Sequence, residues 1–175
     1  MKNDCIILIG PSAVGKTVVG EIISKKTGLK WIDSDIFLHN KLKFQKKEVY
    51  ELTELQRKKE IEYNIFENLI KKHKNFVFST CSGLFIEQKP ELLQKIEKNL
   101  LNCKNVFLLL PSSNILISKE VLEKRLKNRK LEYALSSIEK QMSYFYKISK
   151  KTIYTQNMTP EMVAIKVLSA TKLAK

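Results

Sequence analysis

The sequence predicts an α/β fold, a five-stranded parallel sheet with helices on both faces, and three observations carry that expectation. Strand-like apolar runs fall at residues 5–10, 29–32, 75–80, 104–110 and 152–155. Helix-period segments follow or separate them at 16–27, 48–73, 88–101, 117–128, 131–149 and 159–173. Near-continuous apolar strands alternating with helices mark a sheet covered on both faces and wound by right-handed crossovers. Third, a chain of 175 residues, 43% of them hydrophobic, suffices for one good core and is short for two. A single domain over residues 1–175 is therefore expected, without repeat, linker or low-complexity tail.

The first strand, Cys5-Ile6-Ile7-Leu8-Ile9, runs directly into Gly10, Pro11, Ser12, Ala13, Val14, Gly15, Lys16 and Thr17, which fit G-x-x-x-x-G-K-[ST]. A strand before this pattern and a helix after it are the context that makes it a phosphate loop. Glycines let backbone N–H groups curl around a β-phosphate, the lysine reaches the β/γ oxygens, and the threonine hydroxyl suits Mg²⁺. The helix from Val18 onward would turn the positive end of its dipole toward the phosphates. Nucleoside triphosphate binding follows.

Ligands of open parallel sheets sit beyond the carboxyl ends of the strands. The second strand ends in Asp33-Ser34-Asp35, the third in Ser79-Thr80-Cys81-Ser82-Gly83, and the fourth in Pro111-Ser112-Ser113. Two aspartates two residues apart can divide their work, Asp33 holding a metal-bound water and Asp35 facing an acceptor hydroxyl. The last helix opens on Thr159-Pro160-Glu161, threonine as N-cap and proline in the first turn.

Composition narrows the partners. Net charge is +14, yet the lysines are spread along the chain with no dense basic stripe and interleaved aromatics. A solvated surface that draws anionic small molecules is expected, not a nucleic-acid face. Of 32 basic residues only Arg57, Arg125 and Arg129 are arginines, and of 18 acidic ones only Asp4, Asp33 and Asp35 are aspartates. Each arginine marks a place where a planar fork can clamp carboxylate or phosphate. Arg125 and Arg129, four apart on a helical segment, can project from one face: Arg125 toward the nucleotide, Arg129 as a lid cation over the transferring phosphoryl group. Cys5, Cys81 and Cys103 lack metal-ligand spacing and fit a reducing compartment. No run approaches the ~20 apolar residues of a membrane span, so a cytoplasmic protein, monomer or homodimer, is expected.

Gly10–Thr17, Val18-Val19-Gly20, Thr27-Gly28, Trp31-Ile32-Asp33-Ser34-Asp35 and Arg57 with Glu60 resemble shikimate kinase, where these motifs recur in this order. The resemblance implies the three-layer P-loop fold of the nucleoside monophosphate kinase type, with ATP and Mg²⁺. It assigns Lys16 and Thr17 to ATP and metal, Asp33 to metal support, Asp35 to the acceptor hydroxyl and Arg57 to the acceptor carboxylate. Substrate-binding helices would occupy about 36–73 and a lid about 125–135. Cys81-Ser82-Gly83 stands where shikimate kinases carry three glycines, and Gln141, Met142 and Ser143 where a second carboxylate-binding arginine is expected. The cysteine-serine pair and Arg125-Leu126-Lys127-Asn128-Arg129 are similar to gluconate kinase. The reading is ATP-dependent phosphorylation of a small carboxylated metabolite, shikimate first, with Lys16, Asp35 and Arg129 catalytic and Cys81, Ser82 and Gly83 lining the acceptor. The alternatives are a gluconate or other sugar-acid kinase, a nucleoside or nucleotide kinase, and, from another class, an inactive nucleotide- or RNA-binding regulatory module.

Overall fold

The computed structural model describes residues 5–37, 60–61, 63–68, 70–71, 75–82, 90–128 and 138–171, with side chains from 142 onward in the last stretch. The chain runs β1 (Ile6–Ile9), α1 (Lys16–Thr27), β2 (Lys30–Asp33), β3 (Phe76–Ser79), α2 (Pro90–Leu101), β4 (Asn105–Leu110), α3 (Ile115–Lys127), α4 (Ile138–Ile148), β5 (Lys151–Tyr154) and α5 (Pro160–Ala170). Those described between positions 60 and 71 are helical as well. All five strands are parallel, in the order β2-β3-β1-β4-β5.

Burial follows that order. β1, β3 and β4 occupy the interior of the sheet and are buried along their whole length, whereas the edge strands β2 and β5 each expose part of theirs. Their unbroken apolar runs are thus the sequence signature of a doubly covered sheet. Phe66, Phe76, Phe78, Phe107 and Phe145 fill the core with Ile6, Ile7, Leu8 and Ile9. Cys5, Cys81 and Cys103 are buried, each outside any disulfide. Among the described residues, no helix is long and apolar enough to cross a membrane.

The element boundaries shift by a residue or two, each for a local reason. α3 begins at Ile115, not 117, because Asn114 acts as N-cap, its side chain accepting from Leu116 N at 2.9 Å. β2 extends through Asp33 because that residue still pairs with Ser79 in the β2–β3 ladder. α5 starts as expected, with Thr159 as cap and Pro160 in the first turn. Residues 131–137 of the helix expected at 131–149 and most of 36–73 lie outside the described residues, as do Arg57, Gly83 and Arg129.

Candidate active site

β1 lies at the centre of the sheet, so the loop leaving it stands where the crevices above both neighbouring strands meet. Gly10 has φ 141°, and a Cβ there would come within 2.5 Å of the Leu109 carbonyl oxygen; only glycine lets the chain leave the sheet so close to β4. Positive φ returns at Ala13 (62°) and Gly15 (105°) while the residues between them stay negative. That alternation turns successive amides toward one concavity, the anion nest that the sequence pattern predicts.

Lys16 opens α1 and is 8% exposed. Its Nζ donates to the carbonyls of Gly10 at 2.8 Å and Pro11 at 2.9 Å, folding the ammonium back across the loop. Burial pulls its pKa down from 10.5 to about 8, against the opposing pull of Asp35, Cys81 and Asp33, in that order. All three residues lie at or just beyond the ends of β2 and β3.

Thr17, next on the helix, donates from Oγ1 to Asp33 Oδ2 at 2.7 Å. The other oxygen, Asp33 Oδ1, accepts from the backbone N–H groups of Asp35 at 2.9 Å and Ile36 at 3.2 Å. Asp33 is thus buried and fixed at both oxygens, and it caps the helical turn that carries Asp35. Asp35 itself is exposed. The sequence placed these two carboxylates together, and the structure divides them into one buried and locked and one exposed. A hydroxyl and a carboxylate side by side are hard oxygen donors, a set that fits Mg²⁺.

The end of β3 joins the same cluster. Ser82 Oγ lies 2.6 Å from Ser12 Oγ of the phosphate loop, and Ser34 Oγ accepts from the Cys81 amide. Thr80 donates to the Leu8 carbonyl through both its amide and its hydroxyl, each at 3.1 Å. On the opposite side, Arg125 Nη1 donates to the Ala13 carbonyl at 3.3 Å, so α3 reaches the phosphate loop through this residue.

One polar segment escaped that reading, the turn after β5. Thr155 and Gln156 amides donate to the Leu110 and Pro111 carbonyls at 2.7 and 2.9 Å, which draws the turn beside the end of β4. Thr155 is buried, and among the described residues its Oγ1 is the buried side-chain oxygen or nitrogen without a hydrogen-bond partner. The signal available was the polar run Thr155-Gln156-Asn157 following an apolar strand.

A phosphate loop on the middle strand of a 2-3-1-4-5 parallel sheet, with acidic residues on the next strand end, defines a P-loop small-molecule kinase. The comparisons agree at higher resolution. The family model for shikimate kinase matches residues 12–172, and the chain belongs to that family. A shikimate kinase of Caldicellulosiruptor bescii is 29% identical over 172 residues, covering 97% of this chain and 95% of that one. Among solved structures, the shikimate kinase of Acinetobacter baumannii in complex with shikimate superposes with a TM-score of 0.71 at 21% identity, covering 95% of this chain and 91% of that one. A gluconokinase from Sinorhizobium meliloti gives 0.54 at 19% identity, with coverages of 95% and 91%. The protein is accordingly an ATP-using kinase with an alcohol acceptor.

Proposed function

We propose that this protein transfers the γ-phosphoryl group of ATP to a hydroxyl of shikimate. The observation that supports the reading is the junction of Thr17, Asp33 and Asp35 beside Lys16, a set of groups suited to phosphate, metal and acceptor. The triphosphate lies in the nest of Gly10–Thr17, with Lys16 exchanging its loop carbonyls for β/γ oxygens. Thr17 and Asp33 would hold Mg²⁺, which would supply positive charge to offset that of the phosphates. Asp35, exposed on the turn capped by Asp33, accepts the hydrogen bond of the attacking hydroxyl and orients it. The acceptor occupies the β2–β3 side and the nucleoside the β4–β5 side, between Arg125 and the turn at Thr155. From the family resemblance, Arg57 clamps the acceptor carboxylate and Cys81, Ser82 and Gly83 border the acceptor, while Arg129, four residues beyond Arg125, covers the transferring group.

The test is a coupled assay with ATP and Mg²⁺ over a panel of shikimate, gluconate, other hydroxy acids and nucleosides. ADP release dependent on shikimate is expected. The Cys81-Ser82 pair and the gluconokinase likeness give one second reading, phosphorylation of a sugar acid, which turnover of gluconate with shikimate silent would establish in its place. ADP binding without turnover of any acceptor, with salt-sensitive RNA binding, would replace both by a regulatory module.

A further inference from the structure

The single tryptophan of the chain, Trp31, sits two residues before Asp33, and its Nε1 donates to Ser79 Oγ at 3.1 Å. Ser79 is buried at the end of β3, pairs with Asp33 in the β2–β3 ladder, and donates from the same Oγ to the Lys16 carbonyl at 3.0 Å. A hydroxyl has one proton and an indole N–H can only donate. By occupying the acceptor side of Ser79, Trp31 therefore commits the serine proton to Lys16. Gly20 makes the arrangement possible, since a Cβ there would fall 2.4 Å from Ser79 Oγ and 2.6 Å from Trp31 Nε1. Three separated segments meet at this hydroxyl.

We propose that Ser79 is a positioning residue for phosphoryl transfer, its hydroxyl pinning the first turn of α1 at a set distance from Asp33, with Trp31 fixing the rotamer in which it does so. The inference rests on the phosphotransfer reading of the site. Without the pin, Thr17 and Asp33 still touch, but the turn bearing Lys16 and Thr17 is free to shift by fractions of an ångström relative to β2. Misplacements of this order cost rate in a reaction carried by positioning.

The experiment compares wild type with Ser79→Ala and Trp31→Phe, the second keeping an aromatic ring while removing the N–H donor together with part of the indole's bulk. Calorimetric binding of ADP with and without Mg²⁺ is measured first, because it needs no acceptor and so separates this proposal from the choice of shikimate. In Ser79→Ala the Mg²⁺-dependent gain in ADP affinity is expected to shrink about three- to tenfold, while metal-free ADP binding stays within twofold. Turnover should fall about five- to thirtyfold with the acceptor KM within twofold of wild type. Trp31→Phe should show the same pattern at smaller amplitude. Ser79→Ala with unchanged Mg²⁺ gain and unchanged kcat overturns the proposal, and so does a lowered melting temperature with wild-type kcat, which would make the serine merely structural. If Ser79→Ala does not fold, Trp31→Phe decides: wild-type kcat and Mg²⁺ gain refute the role.

Discussion

Lys16 is the residue whose chemistry the structure constrains most. With a pKa near 8 in the free protein, its ammonium begins to lose its proton just above neutrality, through burial that three neighbouring acidic groups only partly offset. The bound triphosphate brings negative charge against it and raises that pKa again. The profile of kcat/KM for ATP, which reports free enzyme, should therefore fall above about pH 8, whereas kcat holds to higher pH. A kcat/KM profile flat to pH 9.5 would contradict this. The linkage sign is opposite for stability. Below pH 8 the lysine is charged both folded and unfolded, and the fold bears the cost of burying it; between about 8 and 10.5 only the unfolded chain keeps the proton. Raising pH through that window should stabilise wild type relative to Lys16→Met, measured by denaturant unfolding of both at each pH. The same substitution should lower kcat about 10²-fold or more, the scale seen when a preorganised charge-stabilising donor is removed. Arg57 belongs at this scale too. If Arg57 clamps the acceptor carboxylate as proposed, Arg57→Lys should raise the acceptor KM about tenfold, given roughly 1.5–3 kcal/mol for a hydrogen bond to a charged group, with ATP kinetics unchanged.

At the scale of elements, helix α1 was fully legible, from Lys16 to Thr27, because its limits are written in local chemistry. Lys16 follows the glycine that ends the loop, and Gly28 closes the helix in the left-handed region at φ 72°, its N–H donating to the Ser24 carbonyl at 2.8 Å. A Cβ at Gly28 would meet nothing within 4 Å, so Gly28→Ala tests backbone conformation alone. The left-handed penalty of about 1–2 kcal/mol should lower Tm by roughly 2–8 °C. Since Gly28 lies at the opposite end of α1 from the phosphate loop, the KM for ATP should remain within twofold. A loss of ATP affinity matching the loss of stability would show that strain travels along the helix into the site. The strand ends were legible for a similar reason, apolar runs stopping at Asp33, Ser79 and Leu110. What local pattern did not reveal were the ties between those ends. Ser12 with Ser82, Trp31 with Ser79 and Ser34 with Cys81 are contacts between residues 47 to 70 positions apart. Periodicity reports which face of an element is buried, not which polar atom on it meets which partner.

Across the whole molecule, the strand order gives the site its sensitivity to ligand. β1 is clamped between β3 and β4, while the groups that surround the phosphate loop come from β2, β3 and α3. A nucleotide seated in the nest would contact elements from both halves of the sheet at once, and it could not do so in the unfolded chain. Its binding free energy is then added to the cooperative stability of the domain. At a concentration 100 times its Kd, Mg²⁺·ADP should contribute about 2.7 kcal/mol, which for a domain of this size raises Tm by about 5–10 °C. ADP with chelator should give a smaller shift, because the Thr17–Asp33 pair then gains no cation to share with the phosphates. Shikimate alone, on the β2–β3 side proposed for it, should shift Tm less than the nucleotide does. A thermal scan in which Mg²⁺·ADP leaves Tm unchanged at millimolar concentration would mean that the nest does not bind the nucleotide, and the phosphotransfer reading would fall with it.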